Sequence, residues 1–147
     1  MRKIFTIGFT KMTAEEFFTC LENNHVRKVV DVRFYNKSQL LGFTKYPDIE
    51  YFLRNLSNID YIHDLQFAPS ERILEAYKKK YFDWQDYERA FAELMTTRNI
   101  DDYILKNYAH EGNFCLLCTE VSPENCHRRL VAEKIRDVLG DVDIVHL

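Results

Sequence analysis

The sequence predicts an α/β fold, in which a doubly wound, mostly parallel sheet of about five strands is flanked by helices. Three observations predict it. Short β-rich apolar runs alternate with amphipathic helix patterns. The run at residues 28–32 is nearly continuous in valine, as expected of a central parallel strand that is covered on both faces. The 147 residues are enough for one core, and no boundary interrupts the pattern, so we expect a single domain over residues 1–147.

The first part of the chain predicts a strand, a helix and a second strand. Residues 3–8 form a β-rich run that ends at a glycine. Thr13 and Glu16 have the spacing of a capping box, so a helix is expected from there to about residues 23–24. The valine-rich run at residues 28–32 then gives the second strand.

The next part begins with the least regular stretch, residues 34–47, which is long for a connection and therefore a candidate functional loop. Residues 48–56 have apolar side chains at helical spacing. Residues 59–63 alternate strictly between apolar and polar side chains and predict a third strand.

A helical insertion is expected before the fourth strand. Ser70 and Asp83 can cap two helices that carry apolar stripes up to residues 81 and 95. Residues 100–108 have the spacing of a further helix. No strand pattern separates these three helices.

The last part predicts strand, helix and strand. Residues 114–118 form a short buried strand. Ser122 as N-cap and Pro123 as first helical residue predict the start of a long helix, which ends at Gly140. Residues 142–147 close the chain as a fifth strand.

Composition and charge argue against some classes of protein. Hydrophobic residues make up 46% of the chain and charged residues 29%, as in ordinary globular domains. The net charge of -3 argues against a strongly basic nucleic-acid-binding protein. No apolar run has the length of a membrane span, and the first residues lead directly into a strand. We therefore expect a cytoplasmic protein without membrane contact, whose four cysteines are reduced.

Polar residues follow three of the predicted strands at the point where each strand ends. Because the carboxyl ends of parallel strands meet at one edge, these residues are expected to converge there with the start of the last helix. The candidate site residues are Gly8, Thr10, Asp31, Arg33, Cys118, Glu120, Cys126, His127 and Arg128.

The two cysteines of this set suggest thiol chemistry. In the first turn of a helix that starts at Pro123, the thiolate of Cys126 would be stabilised by the helix dipole, His127 and Arg128. The alternative is an inert buried cysteine. Cys118 can face Cys126 as a redox partner or second metal ligand. Cys126 and His127 would point about 100° apart on a helix, which disfavours a zinc site, and no metal is predicted.

The charged residues suggest anion binding. Arg33 and Arg128, with Asp31, Gly8 and Thr10, form the expected anion-binding set, since phosphates bind readily at helix N-termini. Glu120 can act as a general acid or base, or orient Arg33. The alternative is that Asp31 and Arg33 form a structural ion pair.

The motifs as a group resemble the Domain of Unknown Function 488 family, nearly from end to end. The resemblance rests on Val30-Asp31-Val32-Arg33 and above all on the Cys-x-Glu…Cys-His-Arg element of residues 118–128, with support from residues 6–8, 61–63 and 145–147. It implies a small α/β domain without a settled activity. The chain departs from the family pattern at residues 34–38, which lack a proline, and at residues 66–68, which lack a glycine pair.

Three functional hypotheses follow. The first is an enzyme that acts on a small anionic ligand, such as a phosphate or nucleotide, with Cys126 as thiolate and His127, Glu120 and Cys118 as its other catalytic residues. The second is a non-catalytic module for a nucleotide, a nucleic acid or a metal, because aromatics and lysines interleave in residues 34–47. The third is a purely structural polar network. The pattern predicts no particular cofactor and no oligomeric state.

Overall fold

The computed structural model describes residues 2–37, 42–120 and 123–147, and its centre is a five-stranded sheet. The strands are β1 (Arg2–Gly8), β2 (Lys28–Asp31), β3 (Asp60–His63), β4 (Phe114–Cys118) and β5 (Val142–His146). All neighbouring strands are parallel, in the order β3-β2-β4-β1-β5. The predicted α/β class with a parallel sheet is therefore confirmed.

Helices cover both faces of the sheet. The described residues form α1 (Ala14–Asn23), α2 (Asp48–Ser57), α3 (Glu71–Lys78), α4 (Trp84–Thr97), α5 (Ile100–Asn107) and α6 (His127–Leu139). Three of these, α3 to α5, follow one another between β3 and β4 without an intervening strand. Within the described ranges, none of the helices has the length and apolar character needed to cross a lipid bilayer.

Two hydrophobic cores result from the alternation of side chains along the strands. On one face, Phe5 and Ile7 of β1 pack with Phe17 of α1 and Leu53 of α2. On the other face, the core contains Ile4, Leu116, Phe91, Ile104 and Val131, from β1, β4, α4, α5 and α6. All five residues of β4 are buried, as expected of a strand between two helical layers.

The register of the sheet brings the strand ends together. Gly8 pairs with Cys118, and Asp31 pairs with Leu117 one position earlier on the same strand. The expectation that the ends of β1, β2 and β4 meet at one edge of the sheet is therefore confirmed.

The helix starts follow the predicted caps in three cases and differ in one. Thr13 forms the capping box with Glu16, and the side chains of Ser70 and Asp83 cap α3 and α4. The predicted start of the last helix at Pro123 is wrong, because α6 begins at His127.

Residues 123–126 form a turn before α6, in which the Cys126 backbone N–H donates to the carbonyl of Pro123 over 3.2 Å. Cys126 is the N-cap residue and has an extended backbone, with φ -134° and ψ 137°. Ser122, the predicted cap, lies outside the described residues. The physical reason for the later start is tertiary, since the first two helical side chains are anchored to Val32, directly after β2, and to Thr6 of β1.

Candidate functional site

Cys118 lies at the centre of the candidate site, at the carboxyl end of β4. Its side chain points to the α4–α6 face of the sheet, with the core that contains Leu116 and Val131. Only 6% of the residue is exposed. Because β4 lies between β1 and β2, this thiol is at the middle of the polar edge.

His127 presents one ring nitrogen to the Cys118 thiol. Its Nε2 lies 2.6 Å from the carbonyl oxygen of Val32 and its Nδ1 lies 3.6 Å from Cys118 Sγ. A carbonyl oxygen only accepts hydrogen bonds, so Nε2 must carry a hydrogen and donate it. In the neutral ring, Nδ1 is then the bare nitrogen and can accept the thiol proton of Cys118. The Phe91 ring packs edge-on against the imidazole at 5.7 Å and holds its plane.

Cys126 completes a compact three-residue cluster. The sulfur atoms of Cys118 and Cys126 and a ring nitrogen of His127 all lie within 4.8 Å of one another, and all three residues are buried. The sequence-based argument that Cys126 and His127 diverge by about 100° assumed that both residues are helical. That argument fails because Cys126 has an extended backbone and only His127 belongs to α6.

The two thiols have opposite pKa shifts. A hydrogen bond from Cys126 lowers the pKa of Cys118 against the effect of burial, with further help from backbone N–H groups of Thr119 and Glu120 and from the charge of Arg128. The same bond to Cys118, together with burial, raises the pKa of Cys126. These opposite pKa shifts favour a thiolate at Cys118 over one at Cys126.

Arg128 lies inside the protein and connects the turn after β4 to β1. It has no exposed surface. Its Nε donates to Thr6 Oγ1 over 3.2 Å, and its Nη1 donates to the carbonyl oxygen of Glu120. Thr6 Oγ1 also lies 2.6 Å from Nδ1 of His146, so β1, β5, α6 and the turn meet at this hydroxyl.

Gly8 and Thr10 hold the same turn in place. A Cβ atom on Gly8 would lie 1.4 Å from the carbonyl oxygen of Glu120, so only glycine leaves room for the turn. The hydroxyl of Thr10 donates to the carbonyl of Thr119 over 2.6 Å. The observed contacts of these two residues are structural, and their predicted part in anion binding stays a prediction.

Glu120 contributes its backbone to the buried network and its side chain to the surface. The residue is exposed, which leaves the predicted acid–base role of the carboxylate open. Arg33 is oriented by Asp31 and not by Glu120, since Arg33 Nε and Nη2 donate to the two carboxylate oxygens over 2.9 and 2.8 Å.

The Asp31–Arg33 pair is buried and closely bonded to its surroundings. Asp31 and Arg33 are 0% and 4% exposed. The hydroxyl of Tyr61 donates to Asp31 over 2.6 Å, and Arg33 donates to the carbonyl of Thr44 over 2.7 Å. The bond to Thr44 ties residues 42–44 of the long loop to the end of β2. These contacts support the structural ion-pair hypothesis for Asp31 and Arg33.

The ion pair and the thiol cluster lie at the same edge of the sheet but on opposite faces. Asp31 bonds with Tyr61 of the α1–α2 core, and Phe9 of that core lies 5.1 Å from the Arg33 guanidinium carbon. Cys118 belongs to the opposite core. The edge therefore gathers the predicted residues, but it divides them into two groups.

Two neighbours of the cluster were not predicted as site residues. Thr6 was detectable in principle, because it is a polar residue between the apolar Phe5 and Ile7, and it pairs with His146 in the sheet register. Tyr87 of α4 is 3% exposed, and burial together with the nearby Cys118 and Cys126 raises its pKa. In the sequence, Tyr87 belongs to the regular apolar stripe of α4, so nothing indicated that its hydroxyl lies near the thiols.

Comparison with known proteins identifies a family. The sequence model of the family described as "Domain of unknown function DUF488" matches residues 13–135, which is most of the chain. No curated protein and no solved structure gives a significant match. The matched region includes β2, β4 and the whole of the Cys118–Cys126–His127 cluster.

Proposed function

The chain belongs to the DUF488 family, and from its site we propose that it is an enzyme whose nucleophile is the thiolate of Cys118. The observation that carries the proposal is the hydrogen-bonded chain from Cys118 Sγ to His127 Nδ1 and from His127 Nε2 to the carbonyl of Val32. A nucleophile next to a base, with the base oriented by a third group, is the arrangement that covalent catalysis requires.

The roles of the residues follow from this geometry. His127 takes the proton of the Cys118 thiol at Nδ1, and the sulfur attacks an electrophilic atom of the substrate. A bond forms between sulfur and that atom, and the leaving group departs with its electron pair and receives the proton from His127. Cys126 donates a hydrogen bond to the Cys118 sulfur, a role supported by its own raised pKa. Water then hydrolyses the covalent intermediate and restores the thiol.

An anionic substrate has partial support. The charge of Arg128 lowers the pKa of Cys118 and creates a positive potential at the sulfur. The guanidinium is buried and bonded to Thr6 and Glu120, however, so a substrate anion would feel its charge without direct contact. The guanidinium of Arg33 donates hydrogen bonds to the Asp31 carboxylate and the Thr44 carbonyl. It is therefore poorly placed to bind a phosphate.

A nucleic-acid-binding module has less support. Of the aromatics in residues 34–47 that suggested it, Phe43 packs against Phe17 at 5.6 Å and Tyr46 stacks on Tyr61 at 6.0 Å. These two rings are half-buried against the α1–α2 core, so only part of each is open to stack on bases. Tyr35 is exposed, and the half-buried Phe34 lies edge-on to it at 4.7 Å.

The proposal is tested with two chromogenic substrates on reduced, chelator-treated protein. We expect nitrophenol release from p-nitrophenyl acetate, p-nitrophenyl phosphate or both, with an acyl or phosphoryl adduct on Cys118 detected by intact-mass and peptide analysis. The phosphate ester probes the anionic version of the proposal, and the acetate ester probes the neutral one.

The matched variants are Cys118→Ser and Cys20→Ser. Cys20 is a half-buried thiol of α1, in the opposite helical layer, so its replacement controls for general thiol reactivity. Cys118→Ser should abolish the release that Cys20→Ser retains. Equal release by the two variants, or no adduct on Cys118 with either ester, contradicts the proposal.

A further inference from the structure

The Cys118–Cys126–His127 cluster has the composition of a site for a thiophilic metal ion. Two thiols and one imidazole are the ligand set of known three-residue zinc sites, which keep a fourth position for water or substrate. Soft sulfur ligands select zinc and copper(I) over magnesium or calcium. The three ligand atoms come from β4, the turn and α6, so a bound ion would join the sheet to the last helix.

The distances within the cluster fit a tetrahedral ion. With Zn–S of about 2.3 Å and Zn–N of about 2.0–2.1 Å, a tetrahedral angle places sulfur and nitrogen about 3.6 Å apart and two sulfurs about 3.8 Å apart. The observed distance from Cys118 Sγ to His127 Nδ1 is 3.6 Å. The remaining ligand distances are at most 4.8 Å, so a contraction of about 1 Å or less completes the triangle.

The hydrogen bonding of His127 favours the same role. A ligating histidine nearly always donates its second ring N–H to a carboxylate or a backbone carbonyl, which fixes the ring and makes the other nitrogen a better ligand. Here Nε2 donates to the carbonyl of Val32 and Nδ1 faces the two sulfurs. The outer support of a metal site is therefore already in place.

Charge balance also favours a divalent ion in this buried position. The residues are only 3–6% exposed, so a net charge would be costly there. Two thiolates and one neutral imidazole carry two negative charges, which a divalent ion neutralises. Binding of the ion would release the two thiol protons to solvent.

We propose that Cys118, Cys126 and His127 bind one Zn²⁺ ion, with the fourth position left to water. Ion binding occupies the Cys118 sulfur, so it would block the nucleophile. That regulatory consequence, unlike the binding itself, rests on the proposed function.

The test is metal binding by the reduced, chelator-washed protein. Titration with Zn²⁺ against a chromophoric chelator should give one ion per chain, with a fall in pH in weakly buffered solution. Titration with Co²⁺ should give the intense visible bands and sulfur-to-cobalt charge-transfer absorption of a tetrahedral thiolate site. Full occupancy by Zn²⁺ should suppress adduct formation on Cys118.

Variants of the proposed ligands test whether these residues bind the Zn²⁺ ion. Cys126→Ser and His127→Asn should each weaken Zn²⁺ binding by more than the roughly 10–100-fold typical of a change in the outer shell, and Cys20→Ser should bind as the natural chain does. Circular dichroism establishes that each variant is folded. A folded natural chain without Zn²⁺ affinity, or unchanged binding by a folded Cys126→Ser variant, overturns the inference.

The two proposals fail separately. Zn²⁺ binding without a Cys118 adduct in the chelator-treated protein would refute the enzyme and leave the metal site. An adduct on Cys118 without Zn²⁺ binding would refute the metal site and leave the enzyme.

Discussion

Replacement of Gly8 by alanine tests how closely the turn after β4 is fitted to β1. The new Cβ would lie 1.4 Å from the Glu120 carbonyl oxygen and 2.8 Å from Nη1 of Arg128. Ordinary contact distances are about 3.5 Å, so the carbonyl has to move by roughly 2 Å. That movement breaks its hydrogen bond with the buried Arg128 guanidinium.

Two contributions determine how much Gly8→Ala lowers the free energy of unfolding. Loss of a hydrogen bond to a charged group costs about 1.5–3 kcal/mol. Overpacking of a filled interior costs about 1–3 kcal/mol. We therefore expect Gly8→Ala to lower the free energy of unfolding by about 3–5 kcal/mol, which for a chain of this size is a fall in Tm of roughly 10 °C.

Urea unfolding measures the effect, followed by the fluorescence of Trp84, which is the single tryptophan and stacks on Tyr87 at 4.8 Å. Gly112→Ala is the matched control, because a Cβ at Gly112 has no atom within 4 Å and should change stability by no more than about 0.5 kcal/mol. The reasoning is refuted if Gly8→Ala is no less stable than Gly112→Ala.

Three further predictions concern stability. Asp31→Asn leaves the buried Arg33 guanidinium without its carboxylate, so urea unfolding should show a loss of about 3–5 kcal/mol; a loss below about 1 kcal/mol, as for an exposed pair, would contradict this. Tyr108→Phe removes one of the two tyrosine hydroxyls that donate to the buried Asp64, over 2.5 Å, and should cost about 1–3 kcal/mol in the same assay; an unchanged stability would show that the Tyr103 hydroxyl alone satisfies Asp64. Burial raises the pKa of Cys115 well above 9.0, so the folded state keeps this proton while the unfolded state loses it. Stability should therefore fall as pH rises above about 9, by up to about 1.4 kcal/mol per pH unit from this group, and an equally steep fall in Cys115→Ala would count against the assignment.

Much of the fold can be predicted from local sequence patterns. The strands β1, β2 and β4, the capping box at Thr13 and the caps at Ser70 and Asp83 follow from short-range signals that tertiary contacts reinforce. The meeting of strand ends at one edge follows from the parallel arrangement alone.

The details of the site depend on contacts that no local pattern contains. The start of α6 is set by anchors on Val32 and Thr6, which are distant in sequence, and not by the Ser-Pro signal before it. A shift of this start by four residues made Cys126 an extended cap residue. The sequence-based preference for Cys126 as the thiolate, and the argument against a metal site, both assumed a helical Cys126.

The sequence also does not show that the Asp31–Arg33 pair and the Cys118 cluster lie on opposite faces of the sheet. Topology predicts which strand ends are neighbours, but the face of each side chain depends on the exact residue at which a strand enters its core. Asp31 and Cys118 are on neighbouring strands and point to opposite cores. Similarly, Phe43 and Tyr46 suggest a binding surface in the sequence, whereas in the fold both rings are half-buried against the α1–α2 core.

Site-resolved alkylation of the reduced, chelator-treated protein shows whether Cys118 is the activated thiol of the cluster. Iodoacetamide is a small alkylating reagent suited to a residue that is 6% exposed, and peptide mass spectrometry gives the rate at each cysteine as a function of pH. We expect Cys118 to react before Cys126, with a midpoint below the ordinary thiol pKa of about 8.5. Faster reaction at Cys126, or an ordinary midpoint at Cys118, would contradict this expectation.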